Sequence, residues 1–132
     1  MISLDTNVLV RLLTNDEPRQ AQKARIALDL AMQMKHRIWV SVVVVCELVW
    51  VLQRLYGYDK AQVIVGLNAL LKFPGLEMEQ PKAIRQAVDG LQRQSADFAD
   101  ILLGYLSEKQ GADHVLTFDR KAAKLATHKL LV

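Results

Sequence analysis

Met1-Ile2-Ser3-Leu4-Asp5-Thr6-Asn7-Val8-Leu9 opens the chain, and its reading governs the rest. A short apolar run ends on Asp5. Three polar residues, Asp5, Thr6 and Asn7, stand at the hinge, and then Val8, Leu9, Leu12 and Leu13 recur with helical spacing. That pattern is a strand over residues 1–5 handing over to a helix over 6–14. In parallel α/β sheets, ligands and catalytic groups gather at the carboxyl ends of strands, so Asp5 is a candidate site residue. The competing reading makes Asp5 or Thr6 a helix cap and nothing more.

Working outward, the alternation continues. Asp16-Glu17-Pro18 fits a helix start, with Pro in the first turn and acids at the positive end of the dipole. Ala21, Ala24, Leu28 and Ala31 give that helix a face of small residues through about Met34. Ile38-Trp39-Val40 is β-branched and aromatic and reads as a second strand. From Val45 the period changes: Val45, Leu48, Val49, Leu52 and Tyr56 predict a helix ending near Gly57, and Asp59 caps another through about Phe73. Leu76-Glu77-Met78 is a short strand after the Pro74-Gly75 turn. Helices follow over 81–93 and from Phe98 to near Gly111, then a strand over 114–118, a helix over 120–126 and a last strand over 130–132. Strands separated by helical segments imply an α/β fold with a parallel sheet covered on both faces. The 132 residues form one domain, 1–132, large enough to bury a core without staples.

Composition narrows the function. Half of the residues are apolar (52%) and 23% are charged, which predicts a globular chain. The single cysteine, Cys46, excludes a disulfide framework and a cysteine-rich metal site. No charged leader precedes an apolar stretch and cleavage site, so a cytoplasmic location is expected. The longest apolar stretch, 38–52, is interrupted by Glu47 and too short to span a bilayer. The net charge is +3; setting four candidate site acids apart leaves ten acids against seventeen Lys and Arg, a field of about +7 suited to a polyanion such as nucleic acid.

Those four acids occupy equivalent places, each at a strand end or near the start of the following helix. Asp5 is the first. Glu47 is the second, set in a run where only Ser41 is otherwise strongly polar, so it either faces solvent or meets a cation. Asp97 and Asp100 lie at i and i+3 on one side of a helix. Asp97 reads as a cap or dipole partner, Asp100 as the site residue, and Gly104 as leaving room above it. Asp119 follows Thr117-Phe118 and is either an N-cap or the fourth acid. Four converging carboxylates need a cation, and an oxygen-only set suits Mg²⁺ or Mn²⁺, hence phosphodiester hydrolysis. No nucleophile motif or glycine-rich phosphate loop offers other chemistry, and His36, His114 and His128 read as structural or surface residues.

Leu4-Asp5-Thr6-Asn7-Val8-Leu9, Ser41…Glu47-Leu48, Ala96-Asp97-Phe98-Ala99-Asp100-Ile101-Leu102 and Val115-Leu116-Thr117-Phe118-Asp119-Arg120, in that order, resemble the PIN-domain family, and within it the VapC-type toxin ribonucleases of toxin–antitoxin systems. The resemblance covers essentially the whole chain. It implies a three-layer sandwich with a central parallel sheet of about five strands. It also implies a Mg²⁺-dependent endoribonuclease, usually a homodimer, inhibited by a small cognate antitoxin. Carried over, Asp5 and Asp100 become the principal metal ligands, and Glu47 and Asp119 complete the site directly, through water or by holding a second ion. Thr6, Asn7 and Thr117 become supporting polar groups, and Asp97 either supports a ligand or is an alternative one. Val44 departs from the relatives, which often carry a hydroxyl there. A PIN-fold module that binds RNA or protein without cutting it is the alternative. Trp50, Leu55, Tyr56, Leu70 and Leu71 are surplus apolar residues for one sheet face and point to a homodimer and antitoxin interface.

Overall fold

Five strands form, of which β-branched and apolar residues mark the central Ile38-Trp39-Val40 most clearly, and every pairing between them is parallel. The computed structural model describes all 132 residues, which divide into two compact units, Met1–Pro81 and Lys82–Val132.

In the first unit, β1 (Ile2–Ser3), β2 (Ile38–Val40) and β3 (Leu76–Met78) form one ladder in the order β1-β2-β3, with Ile2 opposite Ile38 and Ile38 opposite Leu76. The central strand buries Ile38 and Val40. β1 has a single neighbour in this ladder and leaves Ile2 and Ser3 exposed, so the strand expected over residues 1–5 shortens to these two and, of those five residues, burial is confined to Leu4 just after it. The helices are α1 (Thr6–Thr14), α2 (Pro18–Gln33), α3 (Val42–Arg54) and α4 (Lys60–Lys72). Pro18 stands in the first turn of α2, as its fixed φ and missing N–H favour.

α3 carries the spacing read from the sequence, with Val45, Leu48, Val49 and Leu52 all buried, but it starts three residues earlier than Val45. Four consecutive valines, 42–45, favour strand by propensity alone. Two contacts reverse that preference. The Ser41 hydroxyl accepts from Val44 N at 3.1 Å, and the Glu79 carboxylate accepts from Val42 N at 2.9 Å, so two otherwise orphaned N–H groups are satisfied. Cys46, on the same helix, is half-buried, and burial pushes its thiol pKa up.

α3 and α4 pack as a helical hairpin. Gly57 takes φ +65°, open to glycine, and the chain turns so that Tyr58 N donates to the Leu52 carbonyl at 2.9 Å. Asp59 then caps α4 reciprocally: its carboxylate accepts from Gln62 N at 2.8 Å, and the Gln62 side chain accepts from Asp59 N at 2.9 Å. The Tyr56 hydroxyl donates to Asp16 at 2.8 Å and accepts from Arg11 at 3.1 Å, tying this turn to the α1–α2 junction. Of the apolar residues expected to form an interface, Trp50 and Leu55 are exposed (53% and 69%), whereas Leu70 is core at 2% and Tyr56 is engaged in this network.

In the second unit, α5 (Pro81–Arg93) buries Ile84, Ala87, Val88 and Leu91 at helical spacing, and α6 (Phe98–Lys109) buries Phe98, Ile101 and Leu102. β4 (Val115–Thr117) pairs with β5 (His128–Leu130), Val115 opposite His128 and Thr117 opposite Leu130. The helix expected over 120–126 is only a 3₁₀ turn, Ala122–Lys124, and the last strand begins two residues before Leu130. The connection 118–127 is too short to hold both a turn at each end and a full helix between parallel strands. The five parallel strands therefore lie in one three-stranded and one two-stranded ladder. No helix is long and apolar enough to cross a membrane.

Candidate active site

Asp5 leaves β1 in extended conformation (φ −81°, ψ 160°) and is the N-cap of α1; its Oδ1 accepts from Thr6 N at 2.7 Å. The cap and the candidate site role thus fall on one carboxylate, which is exposed. Thr6 behind it is buried, and its Oγ1 has no hydrogen-bond partner. Asn7 is exposed in the first turn of α1. Glu47 resolves the choice posed by its apolar surroundings: it faces solvent on α3, in line with exposed Val43 and Trp50 at four- and three-residue spacing.

The second unit brings three acids into one electrostatic group. Asp97 is the N-cap of α6, but its side chain makes no cap hydrogen bond; Oδ1 lies 3.8 Å from Lys121 Nζ instead. Both groups are exposed, so this pair adds little to stability. Asp100 sits half-buried in the first turn of the same helix. Burial raises its carboxyl pKa above the ordinary 3.8, the charges of Asp97 and Asp119 raise it further, and His128 and Lys121 oppose the shift. Asp119 Oδ1 accepts from Lys121 N at 2.9 Å and Ala122 N at 3.4 Å, capping the 3₁₀ turn. Thr117 Oγ1 accepts from Asp119 N at 3.0 Å, so its hydroxyl fixes the backbone that carries the acid.

Gly104 does not leave space above Asp100, as the sequence suggested. A methyl group there would collide with the Oγ1 and Cβ of Thr127, the residue leading into β5. The missing side chain lets α6 approach Thr127 closely. Gly104→Ala is therefore expected to destabilise the chain by about 1–3 kcal/mol through overpacking, despite the better helix propensity of Ala. A denaturant midpoint equal to or above wild type would show that the neighbour yields without cost.

The sequence reading gave no specific role to two further residues, one in each unit. His128, read as structural or superficial, is buried; its Nδ1 lies 2.8 Å from Thr127 Oγ1, and its Nε2 has no partner. The period-two pattern of a strand, His128 and Leu130 inward with Lys129 outward, was the available signal. Glu79 follows β3 as Asp5 follows β1, and the rule that selected Asp5 selects it too; its carboxylate is occupied with the start of α3.

Neither unit taken alone gathers three or more His, Cys, Asp or Glu side chains into a metal-holding group. The donor chemistry nonetheless fits a hard divalent cation: the acids offer oxygen only, and the charged form of Asp100 is disfavoured by burial and like charge, which a cation relieves.

The sequence model of the PIN domain matches residues 2–127. The chain belongs to the PIN-domain family. Its parallel strands and intervening helices are those of a PIN-type α/β fold. A VapC ribonuclease of Aquifex aeolicus (strain VF5) is 25% identical over 122 residues, covering 92% of this PIN-domain chain and 90% of that protein.

Proposed function

We propose that this PIN domain acts over residues 1–132 as one catalytic domain, a Mg²⁺-dependent endoribonuclease that serves as the toxin of a toxin–antitoxin pair. The observation that carries the reading is the alignment with a VapC ribonuclease across nine-tenths of both chains. The electrostatics of Asp100 support its metal-binding half.

In this reading Asp5 and Asp100 are the principal metal ligands, for Mg²⁺ or in its place Mn²⁺. Glu47 and Asp119 complete the acidic set, directly, through water or with a second ion, and Asp97 stands behind Asp100 or replaces it as a ligand. Phosphodiester hydrolysis draws on polarisation of a phosphoryl oxygen and on a water of lowered pKa, chemistry that a bound hard cation supplies. The chain's own part is to place and orient. Thr117 fixes the Asp119 backbone, one oxygen of Asp119 stays committed to its turn, and the Lys121 ammonium beside Asp97 offers a positive charge to substrate phosphate. Asn7 and the unpartnered Thr6 hydroxyl offer further polar contacts at the foot of α1.

A non-catalytic PIN-fold binding module is the second reading, favoured by the absence of a three-donor group within either unit. Mapping new RNA 5′ ends after induced expression separates the two. Discrete new ends with the wild-type chain, absent with Asp5→Asn, support the nuclease; identical patterns for both refute it.

The partner proposal rests on exposed Trp50 and Leu55: a homodimer that also receives a small antitoxin through an apolar, basic stretch. A monomer in sedimentation at micromolar concentration, both alone and with the neighbouring gene's product, would overturn it.

A further inference from the structure

Phe118 is 81% exposed, the most exposed aromatic residue of the chain, although an aromatic ring ordinarily dominates core or interface burial. It lies between two residues already placed in the site, Thr117 and Asp119. The backbone on either side is pinned. Leu131 N donates to the Thr117 carbonyl at 2.8 Å, Asp119 N donates to Thr117 Oγ1 at 3.0 Å, and Ala123 N donates to the Asp119 carbonyl at 2.9 Å. The ring is thus displayed from a fixed base, not carried on a loose loop. The segment that carries it is basic: residues 114–132 hold Arg120, Lys121, Lys124 and Lys129 against the one acid Asp119, while Asp97 and Asp100 of α6 join Asp119 in the acidic group on which the metal reading rests. Arg120 and Lys124 are exposed.

A flat apolar ring beside cations is the combination that takes single-stranded nucleic acid, the cations meeting phosphates and the ring meeting a base. We propose that Phe118 stacks on a base of single-stranded RNA next to the cleaved phosphate, with Arg120 following the backbone. The proposal rests on the ribonuclease reading and adds to it a residue that selects for unpaired bases. A protein surface would also bury an exposed Phe, but the exposed cations Arg120 and Lys124 that follow it along the chain complement a polyanion.

The experiment uses the full chain and a short, mixed-sequence, fluorescently labelled single-stranded RNA. Cleavage is measured with Mg²⁺, and binding is measured in an Asp100→Asn background so that the probe survives. Phe118→Ala should weaken binding roughly 5- to 150-fold and raise KM with a smaller change in kcat, as the loss of one base stack does. Phe118→Trp should restore binding, whereas Phe118→Leu, apolar but without a π-face, should not. One abasic substitution near the cleaved bond should weaken binding to the Phe118 chain and have no effect on the Phe118→Ala chain. The side chain is exposed, so the variants should melt with wild type. If wild type cuts RNA and Phe118→Ala binds and cuts it equally well, stacking is wrong and the nuclease reading stands. If Phe118→Ala changes only the sedimentation coefficient, the ring belongs to a protein interface. A wild-type chain that neither binds nor cuts RNA overturns both.

Discussion

Asp100→Asn is expected to lower RNA cleavage by at least about 100-fold, beyond the ~10–100-fold that loss of even a supporting group behind a metal ligand costs. The same variant should melt at a higher temperature than wild type in metal-free buffer at neutral pH. Burial, with Asp97 and Asp119 adding to it, raises the folded-state pKa of Asp100 above the ordinary 3.8. The folded chain therefore holds that proton more tightly than the unfolded chain does. Stability from this group is complete below the unfolded pKa and is lost as pH rises through the folded value. Asn keeps the shape without the charge, so the gap in melting temperature should open as pH rises from below 3.8 toward neutrality. Melting curves at several pH values in excess chelator test this, because the two proteins differ at this one side chain. A gap that is absent or reversed at neutral pH would show that the Asp100 charge is already compensated in the folded chain. Wild-type cleavage by a folded Asp100→Asn chain would remove Asp100 from the ligand set.

Chelation should have an effect as large. Excess EDTA is expected to bring cleavage to background, and added Mn²⁺ should restore it about as well as Mg²⁺. Ca²⁺ should bind and support cleavage poorly, because its longer and looser coordination misplaces the attacking water. The side chains alone offer no activated nucleophile, so little residual hydrolysis is expected without a cation. The check is a time course of RNA cleavage in chelator followed by titration of each ion. Undiminished cutting in chelator would contradict the metal mechanism and leave the fold assignment intact.

Helix faces were legible because burial repeats at a period the sequence displays. Val45, Leu48, Val49 and Leu52 are buried where their spacing put them, and Pro18 and Asp59 mark helix starts through local chemistry alone. Contacts between residues distant in sequence were not legible. The start of α3 depends on Glu79, thirty-seven positions from Val42, and a run of valines gives no hint of it. Gly104 was misread for the same reason, since its neighbour Thr127 lies twenty-three positions away, just before β5. β5 was displaced because Leu130-Leu131-Val132 is the more apolar run, whereas pairing with β4 and the burial of His128 fix the strand two residues earlier. The candidate acids could be located but not fully characterised. Caps and sites share residue types at strand–helix junctions, and Asp5 and Asp119 both cap in the structure. Burial and like charge raise the Asp100 pKa, and the sequence offered no way to weigh that burial.

The half-buried thiol on α3 has a practical consequence for tracing this protein. Cys46 is the only cysteine, and burial keeps it protonated, whereas alkylating reagents attack the thiolate. Maleimide labelling at neutral pH should therefore be slow on the native chain. A cysteine introduced at an exposed position such as Ile26 should react first, so a fluorophore can be attached there without first removing the native sulfur.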